Sequence, residues 1–179
     1  MKKWQSEGLD FIIDKLTNSI ENTLTGEVFD TEVVRLGLND SAQIKPKDWQ
    51  FDWVEELRDK TKEVYRLTTV NNPTIIQGLL SIEDKKDHIF MHLIESAKFN
   101  KGKEKVYYGV PGNLIAFACN SQLTRVLKVL SLSTQNLPSL STMNIKHYEE
   151  TLHATHFRGL RMFIETNAAT KLISRYFKC

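Results

Sequence analysis

The run His88-Ile89-Phe90-Met91-His92-Leu93-Ile94-Glu95 is apolar almost without interruption. A strand-length segment of this kind needs cover on both faces, because neither set of alternating side chains can be left to water. Two strand-like segments precede it. From Glu63 to Thr69, Val64, Arg66 and Thr68 alternate with Tyr65, Leu67 and Thr69, and Ile75 to Ile82 has the same character. Asn71-Asn72-Pro73 and the charged turn Asp84-Lys85-Lys86-Asp87 join the three. Connections this short permit only antiparallel neighbours, so the centre of the fold is predicted to be an antiparallel meander.

The flanking segments supply covering layers and further strands. Leu9, Phe11, Ile12, Ile13 and Leu16 form the stripe of a first short helix. Ser19 to Leu36 reads as a strand pair around Thr25-Gly26. Pro46 and Asp48 precede Trp49, Phe51, Trp53, Val54 and Leu57, the pattern of a capped amphipathic helix ending near Lys60. A polar loop, Lys101 to Lys105, leads to Tyr107-Tyr108-Gly109-Val110-Pro111-Gly112-Asn113 and a helical run from Leu114 to Leu123. Val126 to Leu132 is strand-like, Asn144 to Leu152 helical, Arg161 to Glu165 a short strand, and Ala168 to Phe177 a closing helix. The expected class is α/β: a twisted, mostly antiparallel sheet flanked by helices, in a single domain over residues 1–179.

Charge and cysteine content narrow the function. A net charge of +2, from 24 basic and 22 acidic residues, exerts little pull on a phosphate polymer, so nucleic acid is not an expected partner. Cys119 and Cys179 have neither the number nor the spacing of a disulfide framework or metal site, which fits a reducing compartment. No stretch approaches the roughly 20 apolar residues of a membrane span, and polar residues follow Met1 too soon for a signal peptide. The expected location is the cytoplasm.

The chemistry-bearing feature is the glycine-containing loop that opens a helix after a strand. The first amides of a helix have no intrahelical acceptor and lie at the positive end of its dipole, so they form a ready site for an anion. Gly109 and Gly112 allow close approach of a phosphate. A bare turn is the alternative, because such loops are common.

In these residues the chain resembles the GNAT superfamily of acetyl-CoA-dependent N-acetyltransferases. Members carry Arg/Gln-x-x-Gly-x-Gly/Ala at this place, and its amides hold the cofactor pyrophosphate. Gly109 matches, whereas Val106 stands for Arg or Gln and Pro111 for the second small residue. Proline has no N–H, so one donor is missing. The resemblance implies a cradle from Tyr108, Gly109, Val110, Gly112 and Asn113. Asn18 to Asn22, Asn72 to Gly78, His88 to Lys103 and Arg161 to Thr166 also look like a little-characterised bacterial GNAT-like group, so the likeness runs through most of the chain.

His147 to Ala154 is similar to the family's Tyr-x-x-x-Leu-Gly-Phe/Ala segment, with Tyr148 in the tyrosine position and His153 in place of Gly. There the tyrosine protonates the departing thiolate, and a phenol near pKa 10 is a plausible acid for a thiol near about 8.5. The alternative for a helical tyrosine is an ordinary amphipathic core residue. For the base, the resemblance points to a carboxylate on the fourth strand, which here is Glu95. His88 and His92 fall on the opposite face by simple alternation unless a β-bulge re-aims one side. The plain alternative for Glu95 is an exposed carboxylate at a strand end. Cys119 shares the apolar stripe of Leu114, Ile115 and Ala118 and is assigned to the core.

The resemblance therefore implies direct acetyl transfer from acetyl-CoA, as co-substrate, to an amine, with no metal. The partners would be an acyl-CoA and an amine acceptor; neither nucleic acid nor membrane is expected, and self-association as a homodimer is allowed. The second implication, from Val106 and Pro111, is a catalytically impaired module that binds acyl-CoA or a protein partner without turnover.

Between Cys119 and Tyr148 the likeness lapses. Relatives enter the fifth strand through Gly-Phe-Glu/Asp-Gly-Phe-Val, and this chain has Arg125-Val126-Leu127-Lys128-Val129-Leu130. One codon choice for these six residues, AGG-GTT-TTG-AAG-GTT-TTG, reads Lys-Gly-Phe-Glu-Gly-Phe when started one adenine earlier. The hypothesis is that compensating frameshifts replaced roughly residues 120–142; an ordinary insertion is the alternative. Sequencing the coding DNA is expected to return the family pattern in another frame, and codons that do not would exclude the frameshift.

Overall fold

The computed structural model describes residues 18–125, 129–133, 149–150, 152–158 and 161–176. Strands β1 (Ser19–Asn22) and β2 (Val28–Leu36) form the first hairpin, its turn at Gly26 with φ 69°. The meander follows as β3 (Lys62–Thr69), β4 (Gly78–Asp84) and β5 (His88–Ser96). Then come β6 (Tyr107–Tyr108), β7 (Val129–Ser133), β8 (Thr155–Arg158) and β9 (Arg161–Glu165). They form one sheet in the order β6-β1-β2-β3-β4-β5-β7-β9-β8. All neighbours are antiparallel except β5 and β7, which run parallel.

Three α-helices complete the described elements: α1 (Trp53–Arg58), α2 (Val110–Thr124) and α3 (Thr166–Tyr176). One face of the sheet carries α2 and α3, with Leu67, Leu80, Ile82, Ile89, Met91 and Ile94 packed against Val110, Leu114, Ala118 and Leu172. The other face carries the segment around α1, where Trp49, Trp53 and Ile44 meet Val64, Leu79, Leu93 and Ala97. The double cover expected of His88–Glu95 is thus present, as is the meander.

Several boundaries differ from expectation. The amphipathic pattern from Trp49 to Lys60 divides into a 3₁₀ turn at Pro46–Asp48 and the short helix α1. Asp52, not Asp48, caps α1, its carboxylate accepting from the amides of Val54 at 3.1 Å and Glu55 at 3.0 Å. The strand expected from Ile75 starts only at Gly78. Of the one expected over Val126–Leu132, the described part is Val129–Ser133; residues 126–128 lie outside the described residues. Strands β6 and β8 were not anticipated. The predicted helix over residues 9–16 lies outside the described residues.

A close approach of α2 to the sheet sets the position of its first turn. A Cβ on Gly78 would lie 2.8 Å from Val110 Cγ1, 3.0 Å from Leu114 Cδ1 and 3.1 Å from the Glu95 carbonyl oxygen. Core side chains and the backbone of the β4–β5 ladder crowd that position together, so glycine is favoured there for space. Gly78→Ala is expected to lower stability by about 1–3 kcal/mol, the range for overpacking a core. Urea unfolding followed by circular dichroism measures it.

Candidate active site

A β-bulge organises the centre of the sheet. Ser81 faces Leu93 and Ile82 faces Met91, so His92 is the extra residue on β5. The insertion changes which side chains share a face. Ile89 and Met91 belong to the α2 face, whereas Leu93 joins the tryptophan cluster and Ile94 returns to the α2 face. Glu95 meets Trp53, and His92 meets Glu83, which alternates with the α2-face residues Leu80 and Ile82. His92 and Glu95 therefore look out from the same face, not from opposite faces as simple alternation predicts.

At the same point the described ladder to β7 stops. The parallel ladder between β5 and β7 runs from His88↔Val129 to Met91↔Leu132 and ends there, although β5 continues to Ser96. Beyond the bulge, the β7-side edge of β5 has no ladder partner among the described residues. Ordinarily such an edge binds another extended chain.

At the far end of that edge lies the start of α2. Gly109 caps the helix with φ 91°, a conformation suited to glycine. The Asn113 amide donates to the Gly109 carbonyl at 3.0 Å, closing the first helical bond. Its Nδ2 donates to the carbonyl oxygens of Ser19 and Gly109, both at 2.8 Å, which ties α2 to β1. This removes Asn113 from the predicted cradle: both its amide and its side-chain donor are already in use. Tyr108 pairs with Glu21 in the β1–β6 ladder. Its ring lies beneath Lys105 Nζ, 4.9 Å from the centroid, and burial holds that lysine below its ordinary pKa. With Pro111 lacking an N–H, Val110 and Gly112 keep first-turn amides with no acceptor among the described residues. The Val110 side chain is buried and Pro111 is exposed, so the corner is open on its outer side.

Glu95 is neither exposed nor free. Its side chain is 0% exposed. It accepts from the Gln50 amide at 2.8 Å, the Phe51 amide at 3.3 Å, Trp53 Nε1 at 2.8 Å and Lys101 Nζ at 2.6 Å. Burial pushes its pKa upward, but the bonds from Lys101, Trp53 and Gln50 together outweigh it and hold the carboxyl below the usual range. A carboxylate whose lone pairs are saturated and whose pKa is depressed is a poor proton acceptor. Glu95 is instead the anchor that fastens the 50–53 segment to β5. The sequence shows the carboxylate, but not the three donors at Gln50, Phe51 and Trp53 brought to it from more than forty residues away.

Tyr148 lies outside the described residues. The end of its segment is seen, with Leu152 and Ala154 buried in the α2-face core. His153 has φ 50°, the left-handed region that favours the glycine expected there. Cys119 is fully buried as anticipated, and burial pushes its thiol up to about 12.

Solved structures with this architecture decide the fold. The AtaTR complex with acetyl-CoA superimposes with a TM-score of 0.53 at 17% identity, covering 80% of this chain and 98% of the other. A ribosomal-protein-alanine N-acetyltransferase from Brucella melitensis biovar Abortus gives 0.51 at 16% identity, over 72% and 96%. This chain has the GNAT fold. The AtaT–AtaR complex bound to DNA gives 0.55 at 14% identity, over 79% and 98%, so the GNAT fold as such does not exclude nucleic acid. No family model and no curated protein matches the sequence. Among the described residues no helix is long and apolar enough to cross a membrane.

The Glu95 network has a measurable consequence. Glu95→Ala leaves Trp53 Nε1, the Gln50 amide and Lys101 without their acceptor and is expected to cost about 3 kcal/mol. Because the folded pKa is depressed, the carboxylate's contribution is complete above the ordinary carboxylate range and is lost as pH falls through and below it. Denaturant unfolding between pH 7 and pH 3 should show a shallower decline for Glu95→Ala than for the wild type.

Proposed function

We propose that this chain is a single-domain, cytoplasmic N-acetyltransferase that moves an acetyl group from acetyl-CoA directly to an amine. The observation that supports this reading is the geometry at the bulge: among the described residues β5 has no β7 partner beyond it, and that edge leads to the open first turn of α2. From Leu93 to Ser96 the edge spans about 10 Å at 3.3 Å per residue. An extended pantetheine arm with amide groups fits such an edge as an added strand would.

In this reading the amides of Val110 and Gly112, with the helix dipole, take the pyrophosphate. Gly109 allows the turn, and Tyr108 with Lys105 borders it. The unpaired amides of β5 beyond the bulge are donors for the thioester carbonyl, where negative charge grows during attack. Tyr148 is the proposed acid for the departing thiolate, on the strength of its place in the family-like segment.

Calorimetry with acetyl-CoA, followed by coenzyme A release over a panel of primary amines, tests the proposal. Binding with release supports it, and binding without release indicates the non-catalytic module. Absence of binding overturns both. A second measurement addresses the cradle itself. Pro111→Ala restores a first-turn N–H at an exposed position, and a bond to a charged group is worth about 1.5 kcal/mol or more. Acetyl-CoA affinity is expected to rise about tenfold; an unchanged affinity would place the pyrophosphate elsewhere.

A further inference from the structure

The face opposite α2 carries a groove to which the proposed cofactor site gives no role. It lies between the 3₁₀ turns Leu38–Gln43 and Pro46–Asp48 and the start of α1, with a volume of about 590 Å³. Pockets that hold ligands or inserted side chains span roughly 300–1,000 Å³. Ala42, Ile44, Pro46 and Val54 give the groove an apolar floor, and Lys45 and Lys47 line it beside them. Bonds on each side hold that floor in place. Ile44 is buried in the tryptophan cluster, and the Asp40 carboxylate accepts from the Gly37 amide at 2.8 Å and from Gln43 Nε2 at 3.0 Å. Gln43 in turn accepts from Arg66.

Charge around the groove is unbalanced. Lys45, Lys47 and Lys98 are exposed and form no ion pair among the described residues. Lys98 lies two residues past the end of β5, and its ammonium donates to the carbonyl oxygen of Lys47, an uncharged acceptor. The acids of the same segment are engaged elsewhere: Asp40 as above, Asp52 in capping α1, Glu55 with Arg58, and Glu56 and Asp59 with Lys62. Asp48 alone of them is uncommitted among the described residues. Cations beside an apolar floor complement an extended acidic chain, whose carboxylates meet the ammonium groups while its backbone and apolar side chains cover the floor. A nucleic acid fits this groove less well, because no aromatic ring lines it for a base to stack on. The Lys98 bond also sets the Lys47 end of the groove beside the end of β5, the strand along which the pantetheine arm is proposed to lie.

We infer that the groove docks an acidic peptide, its carboxylates meeting Lys45, Lys47 and Lys98, and that this peptide is the amine acceptor. Its role as acceptor rests on the acetyltransferase reading; the docking does not. The test uses the whole chain and three labelled probes of equal length: a peptide rich in Glu and Asp, its counterpart with Gln and Asn, and a single-stranded RNA. Both peptides carry a free N-terminal amine and one lysine. Fluorescence anisotropy without acetyl-CoA reads docking, and coenzyme A release with acetyl-CoA reads transfer. The acidic peptide is expected to bind about tenfold more tightly than the neutral one, as a few exposed ion pairs together provide, and the gap should close as salt rises. The double variant Lys45→Ala/Lys47→Ala should lose that gap while binding the neutral peptide as before. In turnover its loss should fall on KM for the acidic peptide, with kcat retained. Unaltered thermal unfolding is the check on folding. Equal affinity for the two peptides overturns the docking, as does an acidic preference that survives in the double variant or an RNA that binds more tightly than the acidic peptide. Coenzyme A release from both peptides with the same KM overturns the acceptor assignment and leaves the acetyltransferase reading standing. Docking at the lysines with no coenzyme A released from any amine overturns that reading and leaves the docking standing.

Discussion

One inserted residue in β5 governs the geometry of the molecule. Without the bulge at His92, strict alternation would put Leu93 and Glu95 on the side of Ile89 and Met91, against α2. The bulge moves them to the other face, where Leu93 enters the tryptophan cluster and Glu95 reaches Trp53. The same distortion coincides with the end of the β5–β7 ladder. A single irregularity therefore assigns both faces of the strand and lies where the described ladder to β7 stops.

The second layer is held through charge as well as apolar packing. Four donors converge on Glu95, and nearby the hydroxyl of Ser81 and the ammonium of Lys62 converge on Glu56 of α1, at 2.6 and 2.7 Å. Buried and half-buried carboxylates that accept from several donors tolerate few alternative arrangements, since each displaced donor would be left unsatisfied. The two tryptophans, with ring centroids 6.4 Å apart, fill the space between these anchors.

Much of the fold was legible in the sequence, because it rests on local pattern. The meander, the first hairpin, β9 and the helix that follows it all announce themselves through alternation, turn residues and apolar stripes. The corner at Gly109 was legible through its glycine. What was not legible depended on distant partners. The position of the bulge at His92 is not marked by the pattern of the run, which only allowed for a bulge somewhere along it. The two-residue β6 exists only because β1 pairs with it, and the saturation of Glu95 requires Gln50, Phe51, Trp53 and Lys101 to be assembled first. Asn113 looks like a loop residue until Ser19 is brought beside it. Gly78 carried the one available clue, a lone glycine within a strand pattern, which signals close approach by another part of the backbone.

Helix α2 is gripped at both ends. At its start Asn113 is bonded to Ser19, and just past its end Arg125 meets Glu63 at 2.7 Å and Asp84 at 3.3 Å, with the Tyr65 hydroxyl donating to the same Glu63 at 2.6 Å. A rod fixed at two points can neither roll about its axis nor slide along the sheet. Residues after Arg125 can then diverge in composition and length while the orientation of the helix, and the direction its leading amides face, stays the same. The clamp insulates the front of the molecule from sequence drift behind it.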